Sequence, residues 1–214
     1  MALKSIFLIR HAESLEDVDP TLHNVSDDRI ITLTDCGITQ ADNLWKKLSG
    51  RFCATDKLVA YISPSYRAVA TWNIMSHHLS VALSVYTEAR IRNLNWGNVT
   101  LETRAQIEQE RYKAGVLNYH FPYGENTPEY VFNIDEFTAQ AVGNRKTIES
   151  PDFVVIVTHG FALRIIARFL LHISDTDFRW LRNPPNGYCL ELQYNVSQDH
   201  FFTTAPLLRI QPIE

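Results

Sequence analysis

The sequence predicts an α/β fold, a three-layer α/β/α sandwich with helices on both faces of a central sheet. Two apolar runs, Ile6 to Ile9 and Phe153 to Val157, are short enough for buried strands, and each ends abruptly in polar residues containing a histidine. Between and after them, strand-like and helix-like segments alternate, which is the pattern of a sheet covered on both sides. A chain of 214 residues suits one such domain, and residues 1–214 are read as a single unit with no linker, repeat or low-complexity segment.

Taken in order, Ser5 to Ile9 is the first strand. After a polar loop, Thr34 is placed to cap a helix whose apolar positions Ile38, Ala41, Leu44 and Leu48 follow helical spacing. Leu58 to Ile62 is a buried strand; Ser63-Pro64-Ser65 opens a second helix with Ala68, Trp72, Met75 and Leu79 facing inward. Arg67 falls in the first turn of that helix.

Leu83 to Tyr86 reads as a short strand, and the polar stretch Leu101 to Tyr119 as a helical insertion, so that residues 98–125 make a lid-like segment. Pro128 lies at the first position of a helix running from Asn126 toward Arg145. Strand Phe153 to Thr158 and helix Phe161 to His172 follow, then strands Tyr188 to Tyr194 and Leu207 to Gln211 after the turn Asn183-Pro184-Pro185-Asn186-Gly187.

Composition narrows function. A formal net charge of −4 without a basic run gives no support to nucleic-acid binding. No stretch approaches the roughly 20 apolar residues of a membrane span, and Met1-Ala2-Leu3-Lys4 leads into a strand without a signal-peptide core, so a cytoplasmic chain is expected. Cys36, Cys53 and Cys189 are too far apart for a disulfide framework or a zinc site and read as small, buried or partly buried residues. The triplets at Asn24, Asn98 and Asn195 would be glycosylation acceptors only in a secreted protein. No metal and no cofactor is expected, and no clustered ligand set supports a zinc hydrolase.

The two strand-end histidines, His11 and His159, form a constellation, because ligands in open α/β sheets collect at the carboxyl ends of strands. Arg10 stands beside the first. His77, His78, His172 and His200 read as surface or capping residues, whereas His23 and His120 lie in segments that would border the pocket.

Five segments in order resemble the histidine phosphatase superfamily, the phosphoglycerate mutase-like fold. They are Leu8-Ile9-Arg10-His11-Ala12-Glu13-Ser14, Leu33-Thr34-Asp35-Cys36-Gly37-Ile38-Thr39-Gln40-Ala41, Ser63-Pro64-Ser65-Tyr66-Arg67, Phe121-Pro122-Tyr123-Gly124-Glu125-Asn126 and Val157-Thr158-His159-Gly160-Phe161-Ala162-Leu163-Arg164. The resemblance implies a mixed, largely parallel sheet with the pocket above its strand ends. It implies that His11 is the nucleophile that becomes phosphohistidine, that Arg10 and Arg67 clamp phosphoryl oxygens with forked donors, and that His159 donates to a phosphoryl oxygen. Glu13, Ser14, Gly160 and His23 are expected to contribute to substrate binding. The expected partner is a small phosphorylated substrate, with neither nucleic acid nor membrane.

Five departures from the family pattern bear on chemistry. Asp17 stands where the family usually has Asn, which puts a carboxylate near the phosphate site. Ala12 replaces a glycine. Asn93 stands four residues before Gly97, where many members carry the glutamic acid that protonates the leaving group; an amide has no such proton to give. Glu125-Asn126 and Asn133 replace a common Glu-Ser pair and an arginine. The two losses suggest an exchange in which Asp17, raised in pKa by desolvation, supplies the proton and Asn93 the hydrogen bond; Glu13, Glu16 and Glu88 are fallback donors. Three readings stay open: a phosphomonoesterase for a small phosphorylated metabolite, an acid-deficient or repurposed member suited to good leaving groups, and a non-catalytic phospho-ligand binding module. Specificity is expected from the loops Glu16 to Ile31 and Leu101 to Tyr123, where Tyr112, Tyr119, Phe121 and Tyr123 form either an aromatic wall or packing beneath a lid.

Overall fold

A computed structural model describes residues 2–19, 21–22, 31–77, 79–143, 146 and 150–208. Its centre is a six-stranded sheet in the order β3-β2-β4-β1-β5-β6. The strands are β1 (Ser5–Arg10), β2 (Lys57–Ile62), β3 (Ala82–Thr87), β4 (Phe153–Thr158), β5 (Cys189–Asn195) and β6 (His200–Phe202). Strands β3, β2, β4 and β1 are mutually parallel, and β5 and β6 continue the sheet antiparallel. This is the mixed, largely parallel sheet that the sequence predicts.

Alternation within the two central strands builds both layers. Ile6 and Leu8 of β1, with Val154 and Ile156 of β4, face a core completed by Ile134, Phe137, Ile165 and Ile166. Phe7, Ile9, Val155 and Val157 face the opposite core with Leu44, Leu48, Ala68, Trp72 and Met75. Apolar residues at every position are what a strand buried on both faces requires. Each such side chain contributes about 1.5–3 kcal/mol of transfer free energy.

Helices α2 (Asp35–Leu48) and α3 (Tyr66–Ser76) cover one face, and α5 (Thr127–Val142) and α6 (Gly160–Leu170) the other. Preceding α2 is a single turn, α1 (Leu15–Val18); α4 (Leu101–Ala114) lies within the polar segment, and α7 (Asp175–Phe178) follows α6. Thr34 caps α2 as expected, its hydroxyl accepting from the Gly37 amide at 3.0 Å. Gly37 is required by contact rather than by dihedral angle: a Cβ there would lie 2.0 Å from the Glu13 carbonyl oxygen.

Several expectations need correction. Ile38 is 48% exposed, because the buried stripe of α2 runs through Gly37, Ala41, Leu44 and Leu48. Cys36 and Cys53 are exposed, on α2 and in the loop before β2, and only Cys189 is partly covered. Leu207 and Leu208 are not in a strand; among the described residues the last strand is β6, paired with β5 through a turn in which Asp199 takes a positive φ. Leu79 lies beyond the end of α3, although it still packs against the core. Helix α5 is described to Val142, so its reach to Arg145, like His23, His78 and Gln211, falls outside the described residues.

Candidate active site

The carboxyl ends of β1, β2 and β4 lie side by side, and each hands one part of the site to the loop that follows. Arg10 is in register with Thr158, and the His11 amide donates to the Thr158 carbonyl at 2.8 Å. The Ser63 amide donates to the Val157 carbonyl at 2.9 Å, which brings the start of α3 to the same edge. The Ala12 amide donates to Thr71 Oγ1 at 2.9 Å and ties the loop after β1 to α3.

His11 and His159 are buried with ring centroids 5.0 Å apart. Nδ1 of His11 lies 2.9 Å from the Ala12 carbonyl oxygen, which can only accept; Nδ1 therefore carries the proton and Nε2 the lone pair. His159 has the other tautomer. Its Nδ1 faces Nη2 of Arg67 at 3.4 Å, a group that can only donate, so Nε2–H donates to Ser63 Oγ at 2.9 Å and Ser65 Oγ at 3.2 Å. Burial, reinforced by the positive Arg67 and Arg10, pushes His11 down to about 3 against the pull of Asp17. His159 is lowered for the same reasons, burial first. Both imidazoles are thus neutral near pH 7.

Arg67 sits in the first turn of α3 with only 2% of its surface exposed. Besides His159, its guanidinium donates from Nη1 to Glu16 Oε2 at 2.6 Å. Arg10 donates from Nη1 to the Pro184 carbonyl at 2.7 Å and from Nη2 to Asp17 Oδ1 at 3.0 Å. Both arginines expected to clamp phosphate are therefore paired with neighbouring carboxylates of α1.

Asp17 does not have the environment of an acid. Its Oδ2 accepts from the Ser14 amide at 2.9 Å, the Ser14 hydroxyl at 2.7 Å and Asn186 Nδ2 at 3.0 Å. Burial pushes its carboxyl up, but His11, the two Ser14 bonds and Arg10 outweigh that, and it lies below the ordinary carboxylate range. The expected upward shift is reversed, because His11, the two Ser14 bonds and Arg10 together outweigh desolvation.

The fallback donors are also occupied. Glu88, the N-cap of the 3₁₀ turn Ala89–Ile91, binds Arg90 through both oxygens, a contact that lowers its pKa. Glu13 accepts from the Thr34 hydroxyl at 2.7 Å and so belongs to the α2 cap. Asn93 follows that 3₁₀ turn and is half-buried; its carbonyl accepts from Arg92, whose guanidinium is also paired with both oxygens of Glu125. Gly160 opens α6, where a Cβ would lie 2.9 Å from the Asn183 side chain.

Ser63, Ser65, Asn186 and Pro184 enter the site unforeseen, and Glu16, expected as a fallback donor, enters as the partner of Arg67. Ser63 and Ser65 had a signal in their strand-end position; Glu16 differs from any surface glutamate only once the fold turns it inward. The aromatic wall does not form: Tyr119 and Phe121 pack in the core, whereas Tyr123 is 79% exposed.

A doubly covered sheet with two neutral imidazoles and two arginines at its strand ends is the framework of a phosphatase that works through histidine. Residues 6–201 match the model of the histidine phosphatase superfamily (branch 1), and the chain belongs to that family. It is 27% identical over 219 residues to phosphoglycerate mutase-like protein AT74H of Arabidopsis thaliana, covering 94% of this chain and 78% of that protein. A 121-residue match, 25% identical, to the broad-range acid phosphatase DET1 of Saccharomyces cerevisiae covers 55% of this chain and 36% of that protein. Among solved structures, mycobacterial glucosyl-3-phosphoglycerate phosphatase in complex with VO3 superposes with a TM-score of 0.73 at 18% identity, over 96% of this chain and 99% of that one. That likeness establishes the fold. Among the described residues no helix is long and apolar enough to cross a membrane.

Proposed function

We propose that this chain is a phosphomonoesterase for a small phosphorylated metabolite, acting through a phosphohistidine on His11. The observation that carries the reading is the tautomer of His11: its Nδ1 proton is committed to the Ala12 carbonyl, which leaves Nε2 as a neutral nucleophile. In-line attack by Nε2 forms the N–P bond as the ester P–O bond breaks; water then attacks phosphorus, freeing His11 and releasing phosphate. Among the described residues Arg10 and Arg67 are the cations beside the two imidazoles, and each has an internal carboxylate to exchange for phosphate. Because His159 spends its N–H on Ser63 and Ser65, its donation to a phosphoryl oxygen requires the ring to exchange these partners.

Among the described residues the leaving oxygen has no assigned acid. Asn93 cannot ionise, while Asp17 and Glu88 are held as carboxylates by their donors. This favours substrates whose leaving group departs with little protonation, such as aryl or acyl phosphates, over simple alkyl esters. The reaction is proposed to need no metal and to take place in the cytoplasm, and α4 with its flanking loops is proposed to cover the bound substrate. Incubation with 4-nitrophenyl phosphate tests the reading: wild type releases nitrophenolate and His11→Ala does not. Binding of phosphate with no turnover of aryl or acyl phosphates would instead identify a phospho-ligand binding module.

A further inference from the structure

Residues 33–41 lead into α2 and open it, and three of them clasp Glu13 in the loop after β1. The Thr34 amide donates to the Glu13 carbonyl at 3.0 Å and its hydroxyl to Glu13 Oε1 at 2.7 Å. Gly37 lies against the same carbonyl with no room for a Cβ. Gln40, one turn further on, is half-buried and accepts from the Glu13 amide on Oε1 at 2.9 Å. Its Nε2 is turned to Cys36 Sγ at 3.3 Å, and Gly187 backs its stem so closely that a Cβ there would lie 3.0 Å from Gln40 Cβ. Because a backbone N–H can only donate, this bond also fixes which way the Gln40 amide faces.

The Glu13 amide belongs to the same peptide unit as the Ala12 carbonyl. That unit is planar and trans, so holding its N–H in one direction holds its C=O in the opposite one. The Ala12 carbonyl is the acceptor of the His11 Nδ1 proton, at 2.9 Å. A competitor stands beside it: Nδ2 of Asn186, which donates to Asp17 Oδ2 at 3.0 Å, lies 3.5 Å from His11 Nδ1. An amide donor there favours a lone pair on Nδ1 and hence a proton on Nε2, the tautomer that cannot attack phosphorus. Asp17 Oδ2, the other acceptor near Nδ1, is 4.0 Å away and beyond hydrogen-bond reach. The direction of the Ala12 carbonyl therefore decides the tautomer. The preceding peptide is anchored independently, through the Ala12 amide to Thr71 Oγ1 at 2.9 Å and the Gly187 amide to the His11 carbonyl at 3.1 Å.

Given the phosphoryl-transfer reading above, on which this rests, we infer that Gln40 is a positioning residue: through the Ala12–Glu13 peptide it keeps the proton of His11 on Nδ1 and the lone pair on Nε2. The step it serves is the attack in which Nε2 bonds to phosphorus as the ester P–O bond breaks. With the proton on Nε2 that lone pair does not exist, so the fraction of His11 in the Nδ1–H form sets the fraction of protein able to react.

Nitrogen-15 NMR of the histidine rings reads the tautomer of His11, identified by the signals lost in His11→Ala, and kcat is measured with 4-nitrophenyl phosphate. Wild type should show His11 protonated on Nδ1. Gln40→Leu keeps the bulk without the acceptor; the Nε2–H form should appear and kcat should fall about tenfold or more with little change in KM, the scale of loss that follows a misplaced catalytic group. Gln40→Glu still offers an oxygen to the Glu13 amide and should restore both the tautomer and kcat. Scalar coupling across the hydrogen bond between the Glu13 amide and Gln40 Cδ, measured in wild type, tests the contact without any variant. Absence of that coupling, an unchanged tautomer and kcat in Gln40→Leu, or a Gln40→Glu protein as impaired as Gln40→Leu would overturn the assignment. A tautomer shift in Gln40→Leu without any His11-dependent turnover in wild type would sink the phosphatase reading and leave the role of Gln40 standing; turnover with an unshifted tautomer would do the reverse.

Discussion

The backbone amide of His11 donates to the carbonyl of Thr158 at 2.8 Å, so the proposed nucleophile is fastened to the strand that delivers His159 one residue later. Two segments nearly 150 residues apart in the chain become one rigid edge, because parallel pairing of β1 with β4 fixes their register from Ser5–Phe153 to Arg10–Thr158. Preorganisation of that kind lets a neutral imidazole attack without first being oriented.

His11→Ala should reduce 4-nitrophenyl phosphate turnover to background, and rapid acid quench should trap a labile phosphoenzyme in wild type only. Turnover by His11→Ala within tenfold of wild type would exclude the covalent route.

Replacing Asn93 by Glu should raise kcat for an alkyl phosphate by about 100-fold or more, the usual contribution of a positioned acid. The same change should alter 4-nitrophenyl phosphate turnover much less, since nitrophenolate leaves unaided. Equal gains on both substrates would mean that protonation is not the missing element.

Asp17→Asn should leave kcat within the same order of magnitude, because an ionised Asp17 is not a proton source. Its cost should appear in stability: Ser14 loses an anionic acceptor, worth about 0.5–2 kcal/mol as for other capping contacts, measurable by urea unfolding. A large fall in alkyl phosphate turnover alone would reinstate Asp17 as the acid.

Stability should fall as the solution is acidified from pH 6.5 toward 3. His11 titrates at about 3 in the folded protein and His159 well below its ordinary value, so across this window the unfolded chain binds more protons and gains on the folded one. Each buried imidazole adds a slope of up to about 1.4 kcal/mol per pH unit. Urea unfolding at pH 7, 5 and 4 should show the loss, and His11→Ala should have a shallower slope than wild type.

Gly37→Ala should destabilise the protein by about 1–3 kcal/mol, the range for overpacking. The new Cβ would collide with the Glu13 carbonyl and push α2 away from the loop that carries His11. Thermal unfolding reads the shift directly.

The sequence by itself determined the sheet and its two covering layers, and its resemblance to the family marked His11, Arg10, Arg67 and His159 as candidates. These are encoded locally: runs such as Ile6–Ile9 and Phe153–Val157 are apolar at every position because both faces are buried, and Thr34 marks a helix start through its own hydroxyl. It also revealed that Asn93 cannot serve as the acid, since an amide is unable to ionise in any fold. Protonation and partnership were decided only by the tertiary structure. Desolvation alone argues for a raised Asp17, and only His11, the two Ser14 bonds and Arg10 around that carboxylate reverse the sign. Glu16 is one of three fallback donors in the sequence, and only α1 turns it onto Arg67, 51 positions away. Charge in a buried site depends on every group within a few ångströms, and those groups come from β1, α1, α3, the loop before β5 and the start of α6, whose proximity no local pattern records.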